Sequence, residues 1–172
     1  MIYDIDIAKQ IAKSLLQINA IILQPEKPFK WAAGWKSPIY CDNRKTLSYP
    51  EIRNYIRQGL ASIIRNHYKG ANTIAGVATA GILHGALVAE ELGLPFIYVR
   101  NKTKEHGKEN QIEGDFNKGE SVVLIEDLIS SGKSSLEAAK TLTDSKMNVK
   151  GVVSIFNYNF DQAKQNFKNA NC

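Results

Sequence analysis

Four consecutive apolar residues, Val122-Val123-Leu124-Ile125, run directly into two acids, Glu126-Asp127, and then into a hydroxyl-rich turn. An unbroken apolar run suits a strand buried on both faces, and such strands belong to parallel sheets covered by helices. The neighbouring segments fit the same scheme. Residues 73–78, 96–99 and 149–156 read as further strands. Residues 81–92, 134–146 and 161–169 read as helices, the first of them stopped by Gly93 and Pro95. Strand and helix in turn imply right-handed crossovers and an α/β fold with a central, mostly parallel sheet flanked by helices.

The remainder supplies a smaller N-terminal part. Ile7, Ile11, Leu15, Ile18 and Ile22 recur at helical spacing, which predicts an amphipathic helix over residues 5–23. An aromatic-rich stretch, 29–40, carries Gly34 and Pro38 and reads as short strands around a turn. Pro50 and Glu51 then open a helix that runs to about residue 68. The chain of 172 residues is long enough for one domain with a sizeable core. We read residues 1–172 as a single domain, with a helix and hood over about 1–45 and the parallel-sheet core over about 70–172. The last helix leaves Ala163 and Phe167 as an apolar face that packs on the sheet edge, or that would meet a terminal strand.

Composition narrows the class. Two cysteines, Cys41 and Cys172, have neither zinc-ligand spacing nor disulfide density, which points to a reducing compartment. The first six residues carry two acids and no basic run, so no signal peptide is read there. The stretch 73–89 is broken by Gly76, Gly81 and Gly85 and is too short to span a bilayer. The expected location is cytoplasmic. Lys plus Arg number 22 against 17 Asp plus Glu, and the resulting charge of +5 says little as a total. Its placement says more. Arg100, Lys102, Lys104, His106 and Lys108 alternate along a polar stretch between residues 100 and 120, with Gly107 and Gly114 as flexible points. Loops this long are usually functional, and cations on alternate residues suit a lid over a polyphosphate. His67 and His84 stand in no ligand pattern and are expected as surface and helix residues.

The chemistry concentrates after the apolar run. In an open parallel sheet, ligands bind at the C-terminal ends of the strands. There the strand delivers Glu126 and Asp127, followed by Ser130, Ser131, Gly132, Lys133, Ser134 and Ser135 at a helix start. Backbone N–H groups and the helix dipole of such a turn cradle phosphate, and serine hydroxyls add donors. Like charge keeps the two acids off the phosphate. They can instead accept hydrogen bonds from sugar hydroxyls, so the pattern describes a site for a phosphorylated ribose. Gly132-Lys133-Ser134 imitates the end of a Walker A loop, but the glycine needed five residues earlier is Asp127, which excludes a P-loop.

The segment Val122 to Ser134 resembles the phosphoribosyl-pyrophosphate signature of type I phosphoribosyltransferases. Two further stretches narrow the resemblance to the orotate phosphoribosyltransferases. Trp31-Ala32-Ala33-Gly34-Trp35-Lys36-Ser37-Pro38-Ile39-Tyr40-Cys41-Asp42-Asn43-Arg44 is similar to their N-terminal motif. Arg100-Asn101-Lys102-Thr103-Lys104-Glu105-His106-Gly107, with Ile112-Glu113-Gly114, is similar to their mobile catalytic loop. The resemblance implies an enzyme, a pentosyltransferase that moves a phosphoribosyl group from phosphoribosyl pyrophosphate to orotate, giving orotidine 5′-monophosphate and pyrophosphate in pyrimidine biosynthesis.

It also implies roles. Arg100, Lys104 and His106 would bind the donor, and Lys104, His106 and Asp127 would be catalytic. Glu126 and Asp127 would take the ribose hydroxyls. Leu128 and Ile129 would belong to the donor-binding signature, and Ser130, Ser131, Gly132, Lys133 and Ser134 would hold the 5′-phosphate. Thr79 and Ala80 would hold pyrophosphate, and Ser130 and Tyr40 would contact orotate. Mg²⁺ would arrive on the donor with no direct protein ligand, and a homodimer would share its sites through the loop. No nucleic acid or membrane partner is implied.

The chain has Ala80 and Ala32 where many members carry lysine, and Ile155-Phe156-Asn157-Tyr158 where many carry an arginine. Shorter members share such changes. The chain also stops before a final strand and helix that the family usually carries, so the expectation is a C-terminally shortened domain. Two rivals remain: a phosphoribosyltransferase acting on a purine or other base, and a non-catalytic regulatory domain that binds nucleotides or nucleic acid.

Overall fold

A computed structural model of the chain describes residues 2–30, 36–100 and 111–172. Two compact units divide it, Met1–Ile56 and Arg57–Cys172. Among the described residues no helix is long and apolar enough to cross a membrane.

The first unit opens with α1 (Ile5–Gln17). Asp4 caps it: its Oδ1 accepts from the N–H groups of Asp6 at 2.9 Å and Ile7 at 3.0 Å. Ile11 and Leu15 are buried, as their spacing predicts. The helix ends at Gln17, short of the expected residue 23. Asn19 turns the chain with φ 52°, a left-handed conformation that asparagine tolerates. Ile21–Leu23 becomes β1, so Ile22 leaves the helical stripe on which its spacing placed it. The short strands expected nearby are β2 (Phe29–Lys30), β3 (Lys36–Ser37) and β4 (Ile39–Cys41). β2 pairs with β3, and β1 pairs antiparallel with β4, with Ile21 opposite Cys41. A 3-10 helix at Asn43–Ser48 leads to α2 (Pro50–His67), which continues into the second unit.

The second unit contains β5 (Thr73–Val77), α3 (Ala80–Leu92), β6 (Phe96–Val99), β7 (Ile112–Glu113), β8 (Ser121–Ile129), α4 (Lys133–Asp144), β9 (Asn148–Asn157) and α5 (Asp161–Asn169). The sheet order is β7-β6-β5-β8-β9. β6, β5, β8 and β9 are parallel, and β7 adds an antiparallel edge. The fold is thus the expected α/β arrangement. β7 was hidden in the polar stretch because two residues give no periodicity. β8 runs past the acid pair to Ile129, because Leu128 and Ile129 still pair with Phe156 and Asn157 of β9. Pairing of β8 with β5 ends at Ile125, so the acids stand where the strand leaves its inner neighbour.

Alternation along the strands assigns the two faces. Ala75, Val77, Val122 and Leu124 cluster with Ala138, Ala139 and Leu142 of α4. On the opposite face, β5 presents Gly76 to α3: a Cβ there would lie 2.8 Å from Ile82 Cα. A Cβ on Gly81 would fall 2.5 Å from the Ile125 carbonyl oxygen. Both glycines let the start of α3 lie directly on the sheet, which fixes where that helix begins relative to β8.

Candidate functional site

Because β5, β6 and β8 are parallel neighbours, their C-terminal ends lie side by side and bring together the segments singled out in the sequence. After β5 come Ala78, Thr79 and Ala80. The Ala78 N–H donates to the Val99 carbonyl at 2.9 Å, tying this turn to the end of β6. The peptide between Ala78 and Thr79 is cis. Thr79 is exposed at the start of α3, where no side chain caps the helix.

After β6 comes Arg100. Its N–H donates to the Gln111 carbonyl at 2.8 Å, and its guanidinium meets Glu113 at 3.3 Å. The two ends of the basic segment are therefore pinned together. Lys104 and His106 lie outside the described residues, as do Trp31 to Trp35. A polar cavity of about 330 Å³ is lined by Arg100 and Gln111 on one side and by Ser134, Glu137, Lys140 and Thr141 on the other. It places the end of β6 beside the first turns of α4.

β8 supplies the acids. Glu126 is 5% exposed. Its Oε2 accepts from the hydroxyls of Ser134 at 3.2 Å and Ser135 at 3.0 Å. Its Oε1 accepts from the Asp127 N–H at 3.3 Å. Burial pushes the Glu126 carboxyl up to about 8, with the negative charge of Asp127 beside it adding to the rise. At neutral pH Glu126 is therefore mostly protonated. Asp127 is half-buried, and alternation on the strand turns it to the other face.

The turn Ser130, Ser131, Gly132 follows, with Gly132 at φ 79°. It leads into α4, whose N-terminus also has no side-chain cap. The first N–H groups of α4 are thus open to an anion. Lys133 is exposed and pairs with Glu137 at 3.8 Å. Ser134 is exposed and Ser135 is buried, and the hydroxyls of both donate to Glu126.

Some contributors were not legible in the sequence. Phe167 reads there only as an apolar position of the last helix; in the structure its ring lies against Gly132. The Asn166 side-chain amide donates to the Ser131 carbonyl at 2.9 Å, and no sequence signal marks it. Tyr40, in the first unit, is 38% exposed, with its ring centroid 5.4 Å from that of Phe29. His84 is buried within α3 and His67 is exposed at the end of α2, the helix and surface positions expected of them.

Comparison with known proteins agrees with this geometry. A family model described as the phosphoribosyl transferase domain matches residues 47–170. The orotate phosphoribosyltransferase of Cytophaga hutchinsonii is 56% identical over 162 residues, covering 94% of this chain and 78% of the relative. That of Staphylococcus saprophyticus is 53% identical over 163 residues, covering 95% and 80%. Among solved structures, orotate phosphoribosyltransferase from Aeropyrum pernix superposes with a TM-score of 0.78 at 23% identity, over 92% of this chain and 87% of that one. This last likeness speaks for the fold. With more than half its residues shared over nearly its full length, the chain belongs to the orotate phosphoribosyltransferases.

Proposed function

We propose that the protein transfers the phosphoribosyl group of phosphoribosyl pyrophosphate to orotate, forming orotidine 5′-monophosphate and pyrophosphate. The observation that carries this reading is the pairing of two uncapped helix starts, those of α3 and α4, at the same end of neighbouring strands, with Glu126 and Asp127 beside them. One donor molecule has two phosphate groupings joined by a ribose, and that shape matches two anion cradles with acids alongside.

In this reading the start of α4, with Ser130, Ser131, Gly132, Lys133 and Ser134, takes the 5′-phosphate. Thr79 and Ala80 at the start of α3 take the diphosphate. Asp127 accepts hydrogen bonds from the ribose hydroxyls; Glu126, expected to share that role, has its oxygens engaged by Ser134, Ser135 and the Asp127 N–H. Glu126, held neutral by burial, supports the site with less repulsion of a polyanion than two charged carboxylates would give. The bond from the anomeric carbon to the diphosphate oxygen breaks, positive charge builds on the sugar, and the base nitrogen bonds to that carbon. Asp127 stabilises the sugar charge, while Arg100, Lys104 and His106 stabilise the leaving pyrophosphate. No covalent enzyme intermediate is needed.

The donor set here fits Mg²⁺ as an ion carried by the substrate, since the serine hydroxyls already engage Glu126. When bound, the ion neutralises diphosphate charge. The same reading assigns Tyr40 and Ser130 to orotate, places the enzyme in the cytoplasm, and makes it a homodimer whose basic loop completes the partner copy's site. The two units are read as one phosphoribosyltransferase domain.

The test is pyrophosphate release with Mg²⁺ and donor across orotate, adenine, hypoxanthine and uracil. Release with orotate alone supports the reading, and release with adenine or hypoxanthine instead would replace it. Sedimentation of the same preparation counts subunits.

A further inference from the structure

The turn that receives the 5′-phosphate in this reading is held from outside its own motif. Between the end of β8 and the first turn of α4, the Ser131 carbonyl accepts from Asn166 Nδ2 at 2.9 Å. Asn166 is itself oriented, because its Oδ1 accepts from Gln162 Nε2 at 2.9 Å one turn earlier in α5. That leaves the amide nitrogen to face the turn. The next residue, Phe167, covers Gly132 so closely that a Cβ on the glycine would lie 2.6 Å from Phe167 Cε2. Gly132 at φ 79° is both the conformational hinge of the turn and the residue with no side chain to block the ring. α5 is seated by Ala163, which is 3% exposed. One polar and one apolar contact from adjacent residues therefore fix two successive residues of the turn.

We propose that α5 is a working part of the phosphate cradle. Asn166 and Phe167 are positioning residues that hold the Ser131–Gly132 turn in the shape that presents the first N–H groups of α4 to a phosphate. The inference rests on the proposed function and adds residues to it. Its physical basis is preorganisation: a turn already fixed does not have to be ordered when ligand binds. Freeing about one residue of backbone corresponds to roughly tenfold in affinity.

The experiment compares wild type with Asn166→Ala, Phe167→Ala and Phe167→Leu. Two probes are titrated calorimetrically, ribose 5-phosphate for this cradle and inorganic pyrophosphate for the one at α3. Kinetic constants for donor and orotate are measured alongside. The expected result is about tenfold weaker ribose 5-phosphate binding and a similar rise in donor KM for the two alanine variants. Pyrophosphate affinity, orotate KM and kcat should stay within about twofold, and Phe167→Leu should recover most of the loss by refilling the space over Gly132. Equal ribose 5-phosphate affinity in all four proteins overturns the proposal. So does a parallel loss of pyrophosphate binding, which marks a general loss of structure. A wild type that binds ribose 5-phosphate and loses it in the variants, yet does not turn over orotate, overturns the proposed function and leaves the brace standing.

Discussion

Replacing Glu126 by glutamine should stabilise the unliganded protein, by an amount that grows with pH. The side chain is 5% exposed on β8. Burial raises its carboxyl from 4.5 to about 8, Asp127 adds to the rise, and the Ser135 and Ser134 hydroxyls oppose it. An acid raised in the folded state takes up a proton on folding at any pH between its two values. Its penalty is absent below 4.5, grows through the window from 4.5 to about 8, and is complete above that. At about 1.4 kcal/mol per pH unit, the penalty increases by about 3–4 kcal/mol between pH 5 and pH 8. Glutamine keeps the shape and an acceptor for Ser135 but carries no charge. For a chain of this size the margin by which the E126Q variant melts above wild type should be only a few degrees at pH 5 and should widen by about 7–14 °C on going to pH 8. Paired thermal melts and urea titrations at the two pH values measure this. A gap that stays constant from pH 5 to pH 8 would refute the argument.

Two further outcomes follow from the geometry and a third from the proposed function. Gly81→Ala forces a methyl group to within 2.5 Å of the Ile125 carbonyl oxygen, a backbone atom that cannot swing aside, so urea titration should show a loss of about 1–3 kcal/mol with activity falling as the start of α3 shifts. Asp4→Ala removes the acceptor for two N–H groups of α1 and should cost about 1 kcal/mol in the same titration, with kinetics unchanged. Lys104→Ala should lower kcat by about 10²–10³ while leaving the melting temperature in place; an unchanged rate would remove Lys104 from the mechanism.

The core of this protein was legible wherever one local pattern decides the structure. Val122 to Ile125 is buried on both faces because both α3 and α4 cover it, and an unbroken apolar run is the signature of that arrangement. The pattern failed where a distant partner decides. Ile18 and Ile22 have helical spacing, yet Ile22 pairs with Tyr40 in a strand, and nothing within residues 5–23 announces that partner. β7 exists because Val99 and Tyr98 of β6 offer an edge, not because Ile112 and Glu113 have any period of their own.

The site divides the same way. The acids and the serine-glycine turn that follows them are contiguous, so their order is visible in the sequence. That Glu126 is engaged by serines of the next helix depends on the start of α4 turning back onto β8. That Asn166 and Phe167 reach the turn depends on where α5 docks, and spacing cannot express that.

The central claim is that two anion cradles flanking an acid pair serve one donor and that orotate is the acceptor. Pyrophosphate release from phosphoribosyl pyrophosphate with Mg²⁺, measured with and without orotate, tests it most directly. Release should require orotate and fall by about 10²–10³ in Lys104→Ala. Equal release with and without orotate, or no release from a protein that binds the donor, would contradict it.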